Sequence, residues 1–192
     1  IPGLKTQLKV EDFQTLDKTI KDADKPYARL PQFLLNYVTG DPQGLQYEFN
    51  NDTAYFKKSI NDDSALESSG TRIYNQFAVR YNYITPSWFY AIPEVSVRSI
   101  NTFYDQDSKE SLGFSKSDDL EKSVVVPQFT LATGVTFEKE GKYLQSISPR
   151  AFYAYSPYKK QDNYPNFDST TASINYDQLF NPYRFYGHDR LD

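Results

Sequence analysis

The 192-residue chain carries a formal net charge of −4, no cysteine, and 17% aromatic residues dominated by Tyr and Phe. A mildly acidic balance without a basic stripe argues against a general nucleic-acid binder, and zero cysteines exclude disulfides and thiolate metal sites within this stretch. No run approaches ~18 consecutive apolar residues, which excludes a transmembrane helix but not membrane strands, since alternating strands need only half their residues apolar.

The chain opens at Ile1 without an initiator Met or a signal peptide, as expected of a processed or excised piece. Period-two alternation then recurs along it, the pattern of a strand whose successive side chains point to opposite faces. The first predicted strand lies near residues 4–13, with Leu8 and Val10 against Lys9 and Glu11. In RLPQFLLNYV, Phe33, Leu35 and Tyr37 oppose Gln32 and Asn36; in LQYEFNNDTAYF, Leu45, Tyr47, Phe49 and Tyr55 oppose Gln46, Glu48, Asn50 and Asp52. TRIYNQFAVRYNY sets Ile73, Phe77, Val79, Tyr81 and Tyr83 against Arg72, Gln76, Arg80 and Asn82. Residues 88–104 place Phe89, Ala91, Val95, Val97 and Phe103 opposite Glu94, Ser96 and Arg98.

VVPQFTLATGVTF, residues 125–137, has Phe129, Leu131 and Val135 on one face and Gln128, Thr130 and Ala132 on the other. At ~3.3 Å per residue it would reach ~40 Å, about twice a usual globular strand; tilted by ~45° it would cross a bilayer's hydrocarbon layer. A seventh strand is predicted near 143–156, setting Ile147, Ala151, Tyr153 and Tyr155 against Ser146, Ser148 and Arg150. RFYGHDRLD is expected to open an eighth.

The connections alternate in length. Long polar stretches at 14–28, 58–70, 105–123 and 157–182 are interleaved with short turns at 39–44, 85–87 and 139–142. Outer-membrane barrels have this arrangement, with short periplasmic turns and long extracellular loops. The fold class expected is therefore all-β, an antiparallel up-and-down transmembrane β-barrel segment of about seven to eight strands. The last long loop is aromatic enough to pack on the rim or dip into the interior. Pro31 and Pro127 fall near strand starts, where the missing donor costs little, whereas Pro93 and Pro149 predict bulges or weakened pairing.

On this reading Phe33, Leu35, Phe77, Val79, Val95, Val97, Phe129, Leu131 and Val135 face lipid. Gln32, Glu48, Gln76, Arg80, Glu94, Arg98 and Arg150 line a hydrated interior, because an Arg facing lipid at the midplane costs ~2–4 kcal/mol. Two roles remain open for that polar set: mutual pairing that stiffens the wall, or contact with a cargo or an inserted plug. Trp88, Phe89, Tyr90, Tyr153 and Tyr155 suit interfacial girdles. The sole histidine, His188, lacks a nucleophile context and reads as an ordinary polar residue near a strand start. The pairs Asp62–Asp63 and Asp118–Asp119 read as solvated loop residues rather than a cation site, so no metal, cofactor or catalytic residue is expected.

The run VPQFTLATGVTFEKE, then LQSISPRAFYAYSPYKKQDNYPNFDST and INYDQLFNPYRFYGHDRLD, resembles the central barrel of the lipopolysaccharide-assembly outer-membrane proteins of the LptD family, also called organic solvent tolerance proteins. RLPQF and IPEVSVRS are similar too, so the resemblance spans essentially the whole chain and is strongest after residue 124. It implies a Gram-negative outer-membrane location and one piece, residues 1–192, of a single large barrel domain. It also implies an N-terminal periplasmic domain and gate strands outside this stretch, an LptE-like plug lipoprotein, periplasmic bridge proteins delivering lipopolysaccharide, and passage of that cargo to the outer leaflet through a lateral opening. The disulfide-forming cysteines of the family lie outside this stretch, and no gate residue carries over. Two other readings of the pattern stay open: a small self-contained barrel or porin-like channel, and a soluble ligand-binding β-sandwich.

Overall fold

The computed structural model describes residues 1–17, 19–20, 24–58, 69–86, 88–105, 121–161, 164, 166–173 and 175–191. Seven principal strands form an antiparallel meander: β1 (Leu4–Glu11), β2 (Ala28–Gly40), β3 (Leu45–Lys57), β4 (Ser69–Tyr81), β6 (Phe89–Tyr104), β7 (Glu121–Val135) and β10 (Arg150–Tyr155). The short β5 (Tyr83–Ile84) adds an eighth member beside β6. Two further ribbons pair β8 (Phe137–Lys139) with β9 (Gln145–Ile147), and β11 (Thr170–Thr171) with β12 (Phe185–Tyr186). A 3-10 turn spans Asp177–Phe180, and no helix among the described residues is long and apolar enough to cross a membrane.

Each principal strand pairs with the next principal strand in sequence, as short turns and alternating patterning require. Gly40, at φ +107°, makes the tight turn into β3, where an added Cβ would lie 2.3 Å from the Leu45 carbonyl oxygen. The register gathers the buried polar members on one face, Gln32, Asp52, Arg72, Gln76, Ser96, Arg98, Thr102 and Gln128, together with the apolar Phe56, Tyr74, Ile100 and Val126. The apolar members Phe33, Phe77, Val95, Val97 and Phe129 are exposed on the opposite face, and Leu35, Val79, Leu131 and Val135 share it. This is the inverse of a soluble sandwich, in which those side chains would fill a dry interior.

Three strand expectations are refined. The seventh strand is interrupted at Ser148–Pro149, so that β9 and β10 are separate pieces, and Pro149 marks a break in pairing as expected. Pro93 falls in the gap where β6 changes partner, between the Arg80↔Glu94 pair with β4 and the Tyr83↔Ala91 pair with β5. Its missing donor is tolerated there, and Asn82, opposite, turns its N–H to the Gly44 carbonyl at 2.8 Å. Pro31 lies within a register shift between Arg29 and Gln32.

The expected eighth strand does not form. Among the described residues of RFYGHDRLD, Phe185 and Tyr186 pair with Thr171 and Thr170, and residues 187–191 fold back over the polar face of the sheet. Gly187, at φ +81°, makes that departure possible, since a Cβ at this position would meet the Asp168 carbonyl and carboxylate oxygens at 2.7 Å. The described residues of 156–191 thus act as a covering segment, with Phe167, Asp189 and Leu191 buried against the wall.

Candidate functional site

The covered polar face is the place where charged residues concentrate, and Arg72 is its centre. Burying a guanidinium demands paired acceptors, because an isolated charge out of water costs far more than a fold can supply. Arg72 is fully buried and reaches three carboxylates: Asp168 at 2.5 and 3.0 Å, Asp189 at 2.7 Å and Asp52 at 3.5 Å. Two of them come from the covering segment, so the ion pairs fasten that segment to β4. The guanidinium also lies 4.8 Å above the Phe56 ring, which stacks face to face on Phe167 at 4.6 Å with Tyr27 edge-on.

Asp189 is held from every side. Its Oδ2 accepts the backbone N–H groups of Phe167, Asp168 and Ser169 at 2.9, 2.7 and 3.0 Å, while its own N–H donates to the Ser169 hydroxyl at 2.8 Å. Burial opposes ionisation of Asp168, yet Arg72 bonded to it holds that carboxyl down at about 2. Burial and the neighbouring Asp168 charge push Asp189 upward, against the pull of Arg72. The two carboxylates sharing one guanidinium therefore differ in how firmly they keep their charge.

Further bonds extend the seam. Arg98 donates to the Leu191 carbonyl at 2.7 Å and lies over the Tyr183 ring; Gln76 donates to the Tyr183 hydroxyl at 3.1 Å; Gln128 donates to the Pro182 carbonyl. His188 stacks on Tyr74, with centroids 4.0 Å apart, and its Nε2 lies 3.7 Å from Asp52. Burial, with the nearby Arg72 cation, lowers its pKa and favours the neutral ring.

The polar set expected from the sequence divides in three. Gln32, which donates to Asp52 at 2.9 Å, and Gln76 and Arg98 are sealed beneath or beside the covering segment. Glu48, Arg80 and Glu94 form a half-buried chain in which Arg80 pairs with both carboxylates, beside a cavity of about 430 Å³ that also reaches Tyr183. Arg150 is exposed, about 6 Å from the Phe180 ring centre. A second cavity, of about 440 Å³, opens between Lys5, Gln7, Asn36, Asn50, Asp52 and His188. Asp62, Asp63, Asp118 and Asp119 lie outside the described residues, and most of the 58–70 and 105–123 stretches with them.

Arg72 was legible as a polar-face residue but not as the hub, and Asp168 and Asp189 were hidden because loop carboxylates carry no period. The one clue was the density of aromatic and acidic residues in NFDST and YGHDR, more than a solvated loop needs.

An apolar outward face, a polar covered face and consecutive antiparallel pairing define the wall of an outer-membrane-type β-barrel. The model of the family LPS transport system D matches residues 3–192, and the chain belongs to that family. It is 79% identical over its full length to the LPS-assembly protein LptD of Acinetobacter baumannii and 73% identical to that of Acinetobacter baylyi, covering 23% of each. Against the LPS-assembly protein LptD of Psychrobacter arcticus it is 43% identical over 96% of the chain, or 22% of that relative. The chain spans about a quarter of the length of these curated relatives.

Proposed function

We propose that residues 1–192 form part of the wall of a single outer-membrane barrel that assembles lipopolysaccharide into the outer leaflet of a Gram-negative cell. The segment acts as conduit and scaffold, without catalysis. The observation that carries this reading is the division of faces: exposed Phe77, Val95, Val97 and Phe129 on one side, paired Arg72, Arg80 and Arg98 on the other. In lipid the first set meets hydrocarbon; of the second, Arg80 faces the water enclosed by the barrel, while Arg72 and Arg98 lie beneath the segment that covers that side. The β1 and β10 edges of the sheet need further strands in lipid, because no water is present there to satisfy their N–H and C=O groups.

Cargo enters from periplasmic bridge proteins through an N-terminal periplasmic domain, and leaves through gate strands, both outside this stretch. The phosphate-bearing sugars travel through the polar interior. An LptE-like plug shares that space, and Glu48, Arg80, Glu94 and Arg150, which the covering segment leaves accessible, are the wall residues that meet plug or cargo. Gln76 and Arg98 act one layer back, by holding the covering segment, and Gln32 by orienting Asp52 beside Arg72.

A photo-crosslinking amino acid placed at Asn50 and at Val95 of the full-length protein in transporting cells tests this. Adducts with lipopolysaccharide sugar or with the plug are expected from position 50 and no plug adduct from position 95. Equal plug adducts from both would overturn the assignment of faces.

A further inference from the structure

The outward face is not apolar over its full height. Reading across the register, Tyr37, Phe49, Phe77, Val97 and Pro127 form one continuous apolar row. The next row toward the long connections runs Leu35, Asn51, Asn75, Ser99 and Val125, and the one beyond it Phe33, Thr53, Ile73, Asn101 and Ser123, so polar groups replace most of the apolar ones on the three central strands β3, β4 and β6 while Leu35, Phe33 and Val125 flank them. Asn51 donates to the Asn75 side-chain oxygen at 2.9 Å and to the Tyr74 carbonyl at 3.2 Å, and Thr53 donates to the Asn51 oxygen at 3.1 Å. Among the described residues, the Asn101 amide and the Ser99 hydroxyl have no hydrogen-bond partner. Such amides facing hydrocarbon would each be strongly unfavourable, so a row of them spanning several strands must lie outside it.

Strand length gives the same limit independently. From Phe89 to Val97 on β6 is ~27 Å of strand, or ~20 Å of height at the usual tilt, close to the ~25 Å apolar band of such barrels. Extending the band to Phe103 would make it ~35 Å tall, too much for an outer membrane. Aromatic rings return directly above the amides, at Tyr55 and Phe103 in the row that also holds Thr71 and, at its β7 end, the exposed Glu121. The Tyr55 ring is fixed by its hydroxyl, which donates to Asp105 at 2.8 Å, while Ser69 donates to the same carboxylate at 2.6 Å.

Uncharged amide and hydroxyl groups beneath preorganised aromatic faces suit a sugar: its hydroxyls pair with the former, and its C–H faces rest on the negative ring faces of the latter. A phosphate alone would call for cations, and neither row carries one. We propose that the Asn75–Ser99–Asn101 belt marks the outer edge of the membrane hydrocarbon and, with Tyr55 and Phe103, holds the sugar headgroups of glycolipid packed around the outside of the barrel. This rests on the reading of the sheet as a membrane wall, and concerns lipid outside it rather than cargo within.

Two arms test it on the full-length protein. Nitroxide labels on Val97→Cys and Asn101→Cys in glycolipid-containing bilayers should report hydrocarbon-like oxygen access at 97 and access of a polar nickel chelate at 101. A polar environment at 97 would sink the membrane-wall reading; hydrocarbon at both would leave that reading intact and overturn the belt. In the second arm, lipopolysaccharide or phosphatidylglycerol is titrated onto delipidated protein and retained lipid is counted by native mass spectrometry. Ser99→Val with Asn101→Leu should lower lipopolysaccharide retention about tenfold, equivalent to one or two lost hydrogen bonds, with phosphatidylglycerol unchanged. Equal losses of both lipids, or no loss of either, would overturn the assignment to sugar.

Discussion

Arg72 on β4 and Asp189, 117 positions further along the chain, are joined by a buried ion pair of 2.7 Å. Removing one member of such a pair is far more damaging than replacing the whole set, because the remaining charge is left without a partner. Arg72→Met should therefore cost about 3–5 kcal/mol and release the covering segment. Trypsin cleavage at Arg184 and Arg190 in the refolded full-length protein measures that release. Arg72→Met combined with Asp168→Asn and Asp189→Asn should recover much of the protection; no recovery would mean that packing at Phe167, and not charge, fastens the segment.

Acid should loosen the same seam. Asp168 is held at about 2 against an ordinary 3.8, so its contribution is fully present above pH ~4 and is lost as pH falls toward 2. A shift of that size corresponds to about 2 kcal/mol. Asp189 is shifted the other way, so its protonation on acidification favours the docked state and partly offsets the loss. Protease accessibility of residues 184–190 followed from pH 6 to 2 should rise below pH 4, and Asp168→Asn should remove that rise.

Charge on the outward face should be penalised by height. Val95→Arg, near the middle of the apolar band, should destabilise by about 2–4 kcal/mol, whereas Val135→Arg, at the turn-side end beside Phe89, should cost about 0–1 kcal/mol. Denaturant titration of full-length protein refolded in bilayers gives both values. Equal penalties would mean that this face does not span the hydrocarbon.

Gly134 is paired with Tyr90, and a Cβ built on it would come within 2.5 Å of the tyrosine ring. The ring lies over the glycine, a cross-strand arrangement that substitutes aromatic cover for the missing side chain. Gly134→Val should displace the ring and lower stability by about 1–3 kcal/mol, and Tyr90→Ala should rescue part of it. Thermal gel-shift midpoints of the two single variants and the double provide the comparison, with additivity excluding the contact.

The wall was legible because lipid and enclosed water impose opposite demands on alternate residues, and that period survives even in a strand such as Ser69–Tyr81 that mixes Arg, Tyr and Gln. Strand ends drifted by a few residues where proline or a partner change intervened, as at Pro93 and Pro149. What the pattern could not reveal was tertiary. Nothing local in YGHDR distinguishes a strand start from a turn that buries Asp189, since the deciding partner, Arg72, lies on another element. The same limit hid the division of the polar set: Arg98 and Arg80 read alike in sequence, yet one is sealed beneath residues 156–191 and the other lines a cavity.

The covering segment also imposes an order of assembly. Adjacent hairpins close over short chain distances, but the Arg72 clasp waits for carboxylates 96 and 117 residues downstream, and closure of so long a loop is entropically slow to be rewarded. β4 must already be paired with β3 and β6 before Asp168 and Asp189 have a place to dock. Until they arrive, Arg72 stands in water on an unfinished wall, so its burial is a late event that records completion of the strands around it.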